Sequence, residues 1–175
     1  MNVTTPILSL SGSACAVLLT LALATAGGSG RAEPAAPDTA TVAQNERIVR
    51  KAFDAWTGGE SVFDLLSPDV IWTIHGSGPV ADTYKGVEDF VQRASVPLVS
   101  RLATPLTPEV HNIWAVGDIV VIRFDAAAIT TSGAPYGNEF VWIWTIEDGV
   151  VVEAEAFLDL VAYQEVVDNN EPREQ

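Results

Sequence analysis

His75 and Asp159 are the two side chains best placed for proton transfer. His75 closes the apolar run Val70 to His75, just where the glycine-rich stretch Gly76 to Gly86 (G-S-G-P-V-A-D-T-Y-K-G) begins. Imidazole titrates near neutrality, so a ring turned inward there would serve as a general base. Strict alternation from Trp72 and Ile74 points it outward instead, and a loop histidine bonded to backbone is the competing reading. Asp159 directly follows the last apolar run, where its carboxylate could orient the imidazole, or cap a helix over Leu160 to Val167. Tyr84, within T-Y-K-G, could hold its hydroxyl over a pocket mouth or merely pin the loop. His111 has no assignable partner and reads as structural.

Other chemistries lack their parts. Two histidines without helical spacing do not make a zinc site. No nucleophile elbow occurs, and Gly76-Ser77-Gly78 lacks the further glycine and the strand–helix setting of a phosphate cradle. Neither a metal nor a nucleotide cofactor is indicated.

The elements that must position these residues come after an uncharged leader. Met1 to Gly30 carries no charged side chain, and Ala14 to Ala26 is an apolar run ending Ala24-Thr25-Ala26. This pattern predicts a signal peptide over residues 1–26, with Ala32 as the second cleavage position, and a secreted or periplasmic protein. The run is shorter than the roughly 20 apolar residues a membrane span needs. Cleavage removes Cys15, the only cysteine, and with it any disulfide or thiolate chemistry. Residues 27–44 read as a flexible tether, 45–167 as one domain, and 168–175 as a polar tail. The formal charge of −14 belongs entirely to the part after the leader; it repels phosphate backbones and excludes nucleic acid as a natural partner.

Within the domain, Ile48, Val49, Ala52, Phe53 and Trp56 recur at helical spacing, with Asn45 as a cap and Gly58-Gly59 as a stop. Ser61 to Leu66 makes a short second helix, and Gly86 to Arg101 a third, interrupted near Pro97. The period then falls to two residues. Val110 to Val116, Asp118 to Thr130, Asn138 to Glu147 and Val150 to Leu158 read as consecutive strands, joined by the turns Gly117-Asp118, Ser132 to Gly137 and Asp148-Gly149. Helices first and a sheet second predict an α+β fold, three N-terminal helices packed on a curved antiparallel or mixed sheet.

This order, together with Gly76 to Gly86, E-D-G-V-V-V-E-A-E-A-F-L-D at Glu147 to Asp159 and A-W-T-G-G-E at Ala55 to Glu60, resembles the SnoaL-like branch of the nuclear transport factor 2-like superfamily, which includes ketosteroid isomerase. The resemblance covers about residues 45 to 167 and implies a cone around a pocket. Such folds host isomerases, cyclases, hydrolases and plain binders. Carried over residue by residue, the isomerase Tyr falls on Ala52, its base on Ile74 beside His75, and its protonated Asp near Val141. The His and Asp of the polyketide cyclases fall on Ala154 and Ala156. Neither acid–base set is present.

The same resemblance sets the strand faces. It implies a pocket lined by Ala52, Trp56, Trp72, Ile74, Tyr84, Ile122, Phe124, Val141, Ile143, Ala154, Ala156 and Leu158, with Val120 on the same face, or a packed core in their place. The opposite face would show Arg123, Phe140, Trp142, Trp144 and Glu155, with Asp125, Glu153 and Phe157, for burial against a second copy; packing under the tether or tail is the alternative. An apolar pocket favours a small hydrophobic molecule. Three functions follow: a binder of such a molecule, an isomerase, cyclase or hydrolase using His75 with Asp159, and a protein-interaction module using the aromatic face.

Overall fold

A computed structural model describes Met1 and residues 39–174. The leader and most of the tether lie outside the described residues. Helix α1 runs Thr39–Thr57 and buries Val49 and Phe53. It begins ahead of Asn45, which is therefore no cap. Asn45 is buried in mid-helix, and its Nδ2 donates to the Gly117 carbonyl at 3.2 Å. A polar group removed from water needs such a partner, and here the bond ties the helix to a hairpin turn of the sheet.

The helical layer is not three N-terminal helices. The second expected helix is a single 3-10 turn, Val62–Leu65, whose cap Ser61 accepts from Phe63 N. The third is broken into α2 (Val87–Phe90), a π turn (Val91–Ser95) and α3 (Val96–Val99). Pro97 has no N–H, and its ring crowds the carbonyl four residues back, so the preceding turn widens. The Val96 N–H accordingly reaches back to the Val91 carbonyl. A further helix, α4 (Leu160–Asn169), follows the sheet.

Six strands form one sheet in the order β2-β1-β6-β5-β4-β3. They are β1 (Leu66–Ile74), β2 (Thr83–Lys85), β3 (Thr107–Val116), β4 (Ile119–Ile129), β5 (Pro135–Glu147) and β6 (Val150–Leu158). Short turns close the antiparallel hairpins. Asp148 and Gly149 both have positive φ, 50° and 83°, the backbone a two-residue turn needs to match strand twist. β1 pairs with β6 in parallel, so the sheet is mixed. The stretch Gly76 to Gly86 crosses from β1 to β2, a strand too short for a sequence pattern. Gly76 has φ of 122°, a backbone that L side chains rarely adopt, and a Cβ there would also press on the Leu160 side chain of α4 at 2.8 Å.

Register settles which residues face inward. Trp72 pairs with Ala154, Ala154 with Trp144, and Trp144 with Val120; Ile74 pairs with Ala156, Ala156 with Trp142, and Trp142 with Ile122. Residues so paired share one sheet face. Phe140, Trp142 and Trp144 are therefore buried, while Val141 and Ile143 lie on the outer face with Arg123 and Glu155. The expected β5 faces are reversed, the consequence of a one-residue shift in a period-two strand. Its odd-numbered residues include Glu139, Thr145 and Glu147, polar groups that belong in water.

Phe53 of α1 meets Phe124, Trp142 and Trp144 at 5.0, 5.8 and 5.9 Å. Such contacts add about 0.5–1.5 kcal/mol each beyond area burial. The C-terminal residues are ordered: Arg101 Nε donates to the Asn170 carbonyl, Thr131 Oγ1 to the Glu171 carbonyl and Arg173 N to the Ser100 carbonyl. They tie the end of α3 to the β4–β5 turn. In urea denaturation, Trp144→Ala is expected to cost about 3–5 kcal/mol, and Ile143→Ala markedly less. The reverse order would restore the register expected from sequence.

Candidate functional site

Between the inner sheet face and the helices lies a cavity of about 550 Å³. Its floor is Ile74, Ala156 and Trp142 from one cross-strand row and Leu158 and Phe140 from the next. Ala156, a methyl group between two larger neighbours, leaves the hollow. Trp72 forms one side: it stacks on Phe90 (4.0 Å, 14°) and stands nearly perpendicular to Trp142 (5.1 Å, 86°) and Phe63 (6.0 Å, 86°). Ala94, Leu98 and Val99 of the broken helix and Tyr163 of α4 complete the wall. The rim comprises Thr57 to Ser61, Ser95 and Pro105 to Thr107.

Polar equipment is sparse. The Tyr163 hydroxyl donates to the Ala94 carbonyl at 2.8 Å, in the widened turn. Burial pushes this phenol well above its ordinary range, so it stays protonated. Glu60, on the rim, is the one charged side chain lining the cavity among the described residues. Among the described residues, no three His, Cys, Asp or Glu side chains come together as a metal site.

Neither expected proton-transfer residue reaches the cavity. His75 lies on the far side of the sheet, its Nε2 2.6 Å from Glu155 Oε2 and its ring stacked on Phe157 at 4.5 Å. Alternation along β1 sends it there. Asp159 caps α4, accepting from Val161 N and Ala162 N at 2.8 and 3.2 Å. Its backbone N–H and carbonyl are both held by the Asn138 side chain. The two residues do not form an orienting pair. His111 sits 3.0 Å from Asp125, also a carboxylate partner.

The remaining expected pocket residues meet different fates. Trp56, Trp72, Ile74, Ala156 and Leu158 line the cavity. Ile122, Phe124 and Ala154 are buried in the core, where Ile122 pairs with Trp142 and Phe124 with Phe140, and Phe124 meets Phe53 of α1. Ala52 packs at the core's edge. Val141 and Ile143 are on the wrong face. Tyr84 is no mouth residue: its hydroxyl donates to the Val80 carbonyl at 2.7 Å, and Arg93 lies 4.8 Å over its ring while pairing with Asp82 and Asp89. The Arg93 hydrogen bond, with the Thr83 N–H, holds Asp82 below its usual carboxylate range. The crossing Gly76 to Gly86 is thus a pinned support, and the opening lies elsewhere.

Sequence reasoning missed Phe63, Phe90, Leu98, Phe140, Trp142 and Tyr163 as cavity residues. Phe140 and Trp142 were legible from the polar residues in the opposite phase of β5. The helical residues carry no such signal, because helical spacing does not separate a cavity wall from a core.

A mixed sheet curled around an apolar hollow, with helices closing one face, defines a cone-shaped α+β pocket domain. The SnoaL-like domain model matches residues 49–154, and the chain belongs to that family. No curated protein sequence matches it. Among solved structures it is similar to an NTF2-like protein from Burkholderia thailandensis E264 (18% identity, TM-score 0.58, covering 70% of this chain and 95% of that one). It is also similar to a SnoaL-like protein from Jannaschia sp. CCS1 provisionally assigned as a polyketide cyclase (21%, 0.57, 77% and 98%). A third similar structure is TerC co-crystallised with polyporic acid (21%, 0.58, 72% and 99%). At these identities the likeness shows the fold.

Asp159→Ala is expected to cost about 1 kcal/mol through the lost cap, measured by urea denaturation, with cavity binding unchanged. Burial raises Tyr136 to about 12 and Tyr163 higher still. The folded phenols hold their protons above the unfolded value of about 10, so their contribution is intact below pH 10 and is lost as pH rises through 12. Tyrosinate absorbance followed against circular dichroism should show these two ionising together with unfolding.

Proposed function

We propose that the chain is an exported binder of a small, uncharged hydrophobic molecule, held in the cavity without being turned over. The observation that carries this reading is the cavity's composition: tryptophan, phenylalanine and aliphatic walls, with Glu60, at the rim, the one charged side chain among the described residues. A pocket of this size and polarity suits a drug-sized apolar ligand, and among the described residues no lining cation balances an anionic one. The acid–base groups of the family's known enzymes have no counterparts here, and His75 and Asp159 are engaged elsewhere. The leader, Met1 to Ala26, supports export to the periplasm or beyond.

The outer sheet face supports a homodimer. Its cross-strand row Trp114, Val121, Ile143, Glu155 and the next row through Val141 and Phe157 combine exposed apolar groups with charges of both signs. Trp114 is 50% and Phe157 42% exposed, more apolar surface than a solvated sheet presents by chance. This patch replaces the tryptophan face expected from sequence; Arg123 and Glu155 remain on it.

A second reading, proton-transfer catalysis, rests on Glu60, since a rim carboxylate beside an apolar cavity could act as base. A similar structure carries a provisional cyclase assignment.

Native mass spectrometry of protein purified from its own host should find a neutral apolar molecule bound. Ala156→Phe, which fills the floor, should weaken binding of that molecule at least about tenfold. Undiminished affinity in this variant would place the ligand elsewhere. Turnover that is lost in Glu60→Gln would favour the enzyme. For assembly, sedimentation velocity should show a dimer that Phe157→Asp converts to monomer.

A further inference from the structure

The lips of the cavity's mouth are fastened differently. Thr57 to Ser61 is held by its own backbone, the Gly59 N–H donating to the Trp56 carbonyl and the Glu60 N–H to the Ala55 carbonyl at 2.9 and 3.0 Å. Pro105 to Thr107 follows a stretch joined to the sheet, where the Ala103 N–H donates to the Ile129 carbonyl and the Ile129 N–H to Thr104 Oγ1 at 2.7 and 2.9 Å. A further lip is α3. Its Leu98 and Val99 line the cavity, while Val96 on the same turn is 40% exposed, so a single helical turn has the cavity on one side and water on another. A helix this short does not support itself, and the carbonyls at its end lack partners within it. Residues 170–174 supply several. The Ser100 carbonyl accepts from Arg173 N at 2.8 Å and the Val99 carbonyl from Arg173 Nη2 at 3.3 Å. Arg101 joins the two segments, its Nη1 donating to the Pro97 carbonyl and its Nε to the Asn170 carbonyl, both at 2.8 Å.

Resting on the binding function proposed above, we propose that residues 170–174 are a latch on the cavity: fastened, they hold α3 as a lip of the mouth, and released, they let α3 swing on the π turn so that a ligand enters or leaves. The latch has a fixed side. Thr131 Oγ1 donates to the Glu171 carbonyl at 2.8 Å and the Ser132 N–H to Asn170 Oδ1 at 3.2 Å, which anchors it to the β4–β5 turn. It also has the features of a segment that opens. Residues 170–174 form neither helix nor strand, and those after Asn170 are exposed. Hydrogen bonds in contact with water, with little apolar burial beneath them, belong to the least stable part of a fold. The hinge is pinned at its near end, because the Tyr163 hydroxyl of α4 holds the Ala94 carbonyl of the π turn at 2.8 Å. Motion is thereby confined to the residues that follow. Arg101, Thr131 and Arg173 are positioning residues that act through α3. A filled and an empty cavity are closed by the same latch, so the device sets the rates of exchange and leaves affinity alone while the open form is minor.

The test follows N-phenyl-1-naphthylamine, a neutral apolar fluorophore, by stopped-flow energy transfer from the protein's tryptophans, comparing wild type with a chain that ends at Asn169. Truncation is expected to raise the association and dissociation rate constants together, each about tenfold, with Kd within about twofold of wild type. Arg173→Ala and Thr131→Val, each lacking one side-chain tie, should fall between the two. Unchanged rates overturn the latch and leave the binding function standing. So does faster dissociation alone with Kd weakened in proportion, because a damaged wall loses affinity whereas a freed lip does not. A probe that wild type does not bind, or that Ala156→Phe binds undiminished, overturns the cavity reading and the latch with it. Should the truncated chain fail to fold, the double variant Thr131→Val, Arg173→Ala decides by the same criterion on the two rates.

Discussion

The structure depends on one steric constraint, the pairing of alanines on β6 with tryptophans on β5. Ala154 and Ala156 face inward beside Trp144 and Trp142, with Trp72 and Ile74 on their other side. Large side chains on all three strands would not fit at sheet spacing; small ones on all three would leave the inner face unable to reach the helices. Interiors pack at crystal-like density, so alternating sizes across a row is how a twisted sheet meets a helix layer. The same alternation makes the hollow. Beside Ala154, Trp144 lies under Phe53 of α1 and Trp72 under Phe90 of α2. Above Ala156, one row further on, the helical cover is the broken segment Val87–Val99, and the space stays open.

That break follows from Pro97. A straight helix there would lie flat on the sheet, whereas the widened turn places Ala94, Leu98 and Val99 around the cavity. The segment is then tied in its π turn and at its C-terminal end. The Tyr163 hydroxyl holds the Ala94 carbonyl, and residues 170–173 hold Val99 and Ser100 through Arg173. A helix interrupted by a π turn is thus held by groups from distant sequence, Tyr163 and Arg173.

Much of the fold was legible because its signals are local. The period-two runs, the Asp148-Gly149 turn and the Pro97 break all act within a few residues. The inward phase of β6 was unambiguous, since alanines alternate with Glu153 and Glu155. β5 was misread because Val141 and Ile143 are as apolar as Phe140 and Trp142, and the face was set by analogy with a relative's site. Polar Glu139, Thr145 and Glu147 in the odd phase carried the correct answer. The candidate site was less legible. Its opening depends on where the broken helix and the Pro105 to Thr107 segment come to rest, and neither leaves a periodic trace.

The fate of His75 shows why a lone titratable residue at a strand end is weak ground for assigning chemistry. One residue decides its side of the sheet, and β1 continues its alternation through Ile74. On the outer face the imidazole meets Glu155, itself placed by the strict alternation of β6. Both chain histidines end up with carboxylate partners on that face, while the cavity keeps largely apolar walls. Chemistry by proton relay needs groups that converge on one space. Here the charged groups His75, Glu155, His111 and Asp125 converge outside it, and the interior is walled by aromatic and aliphatic side chains.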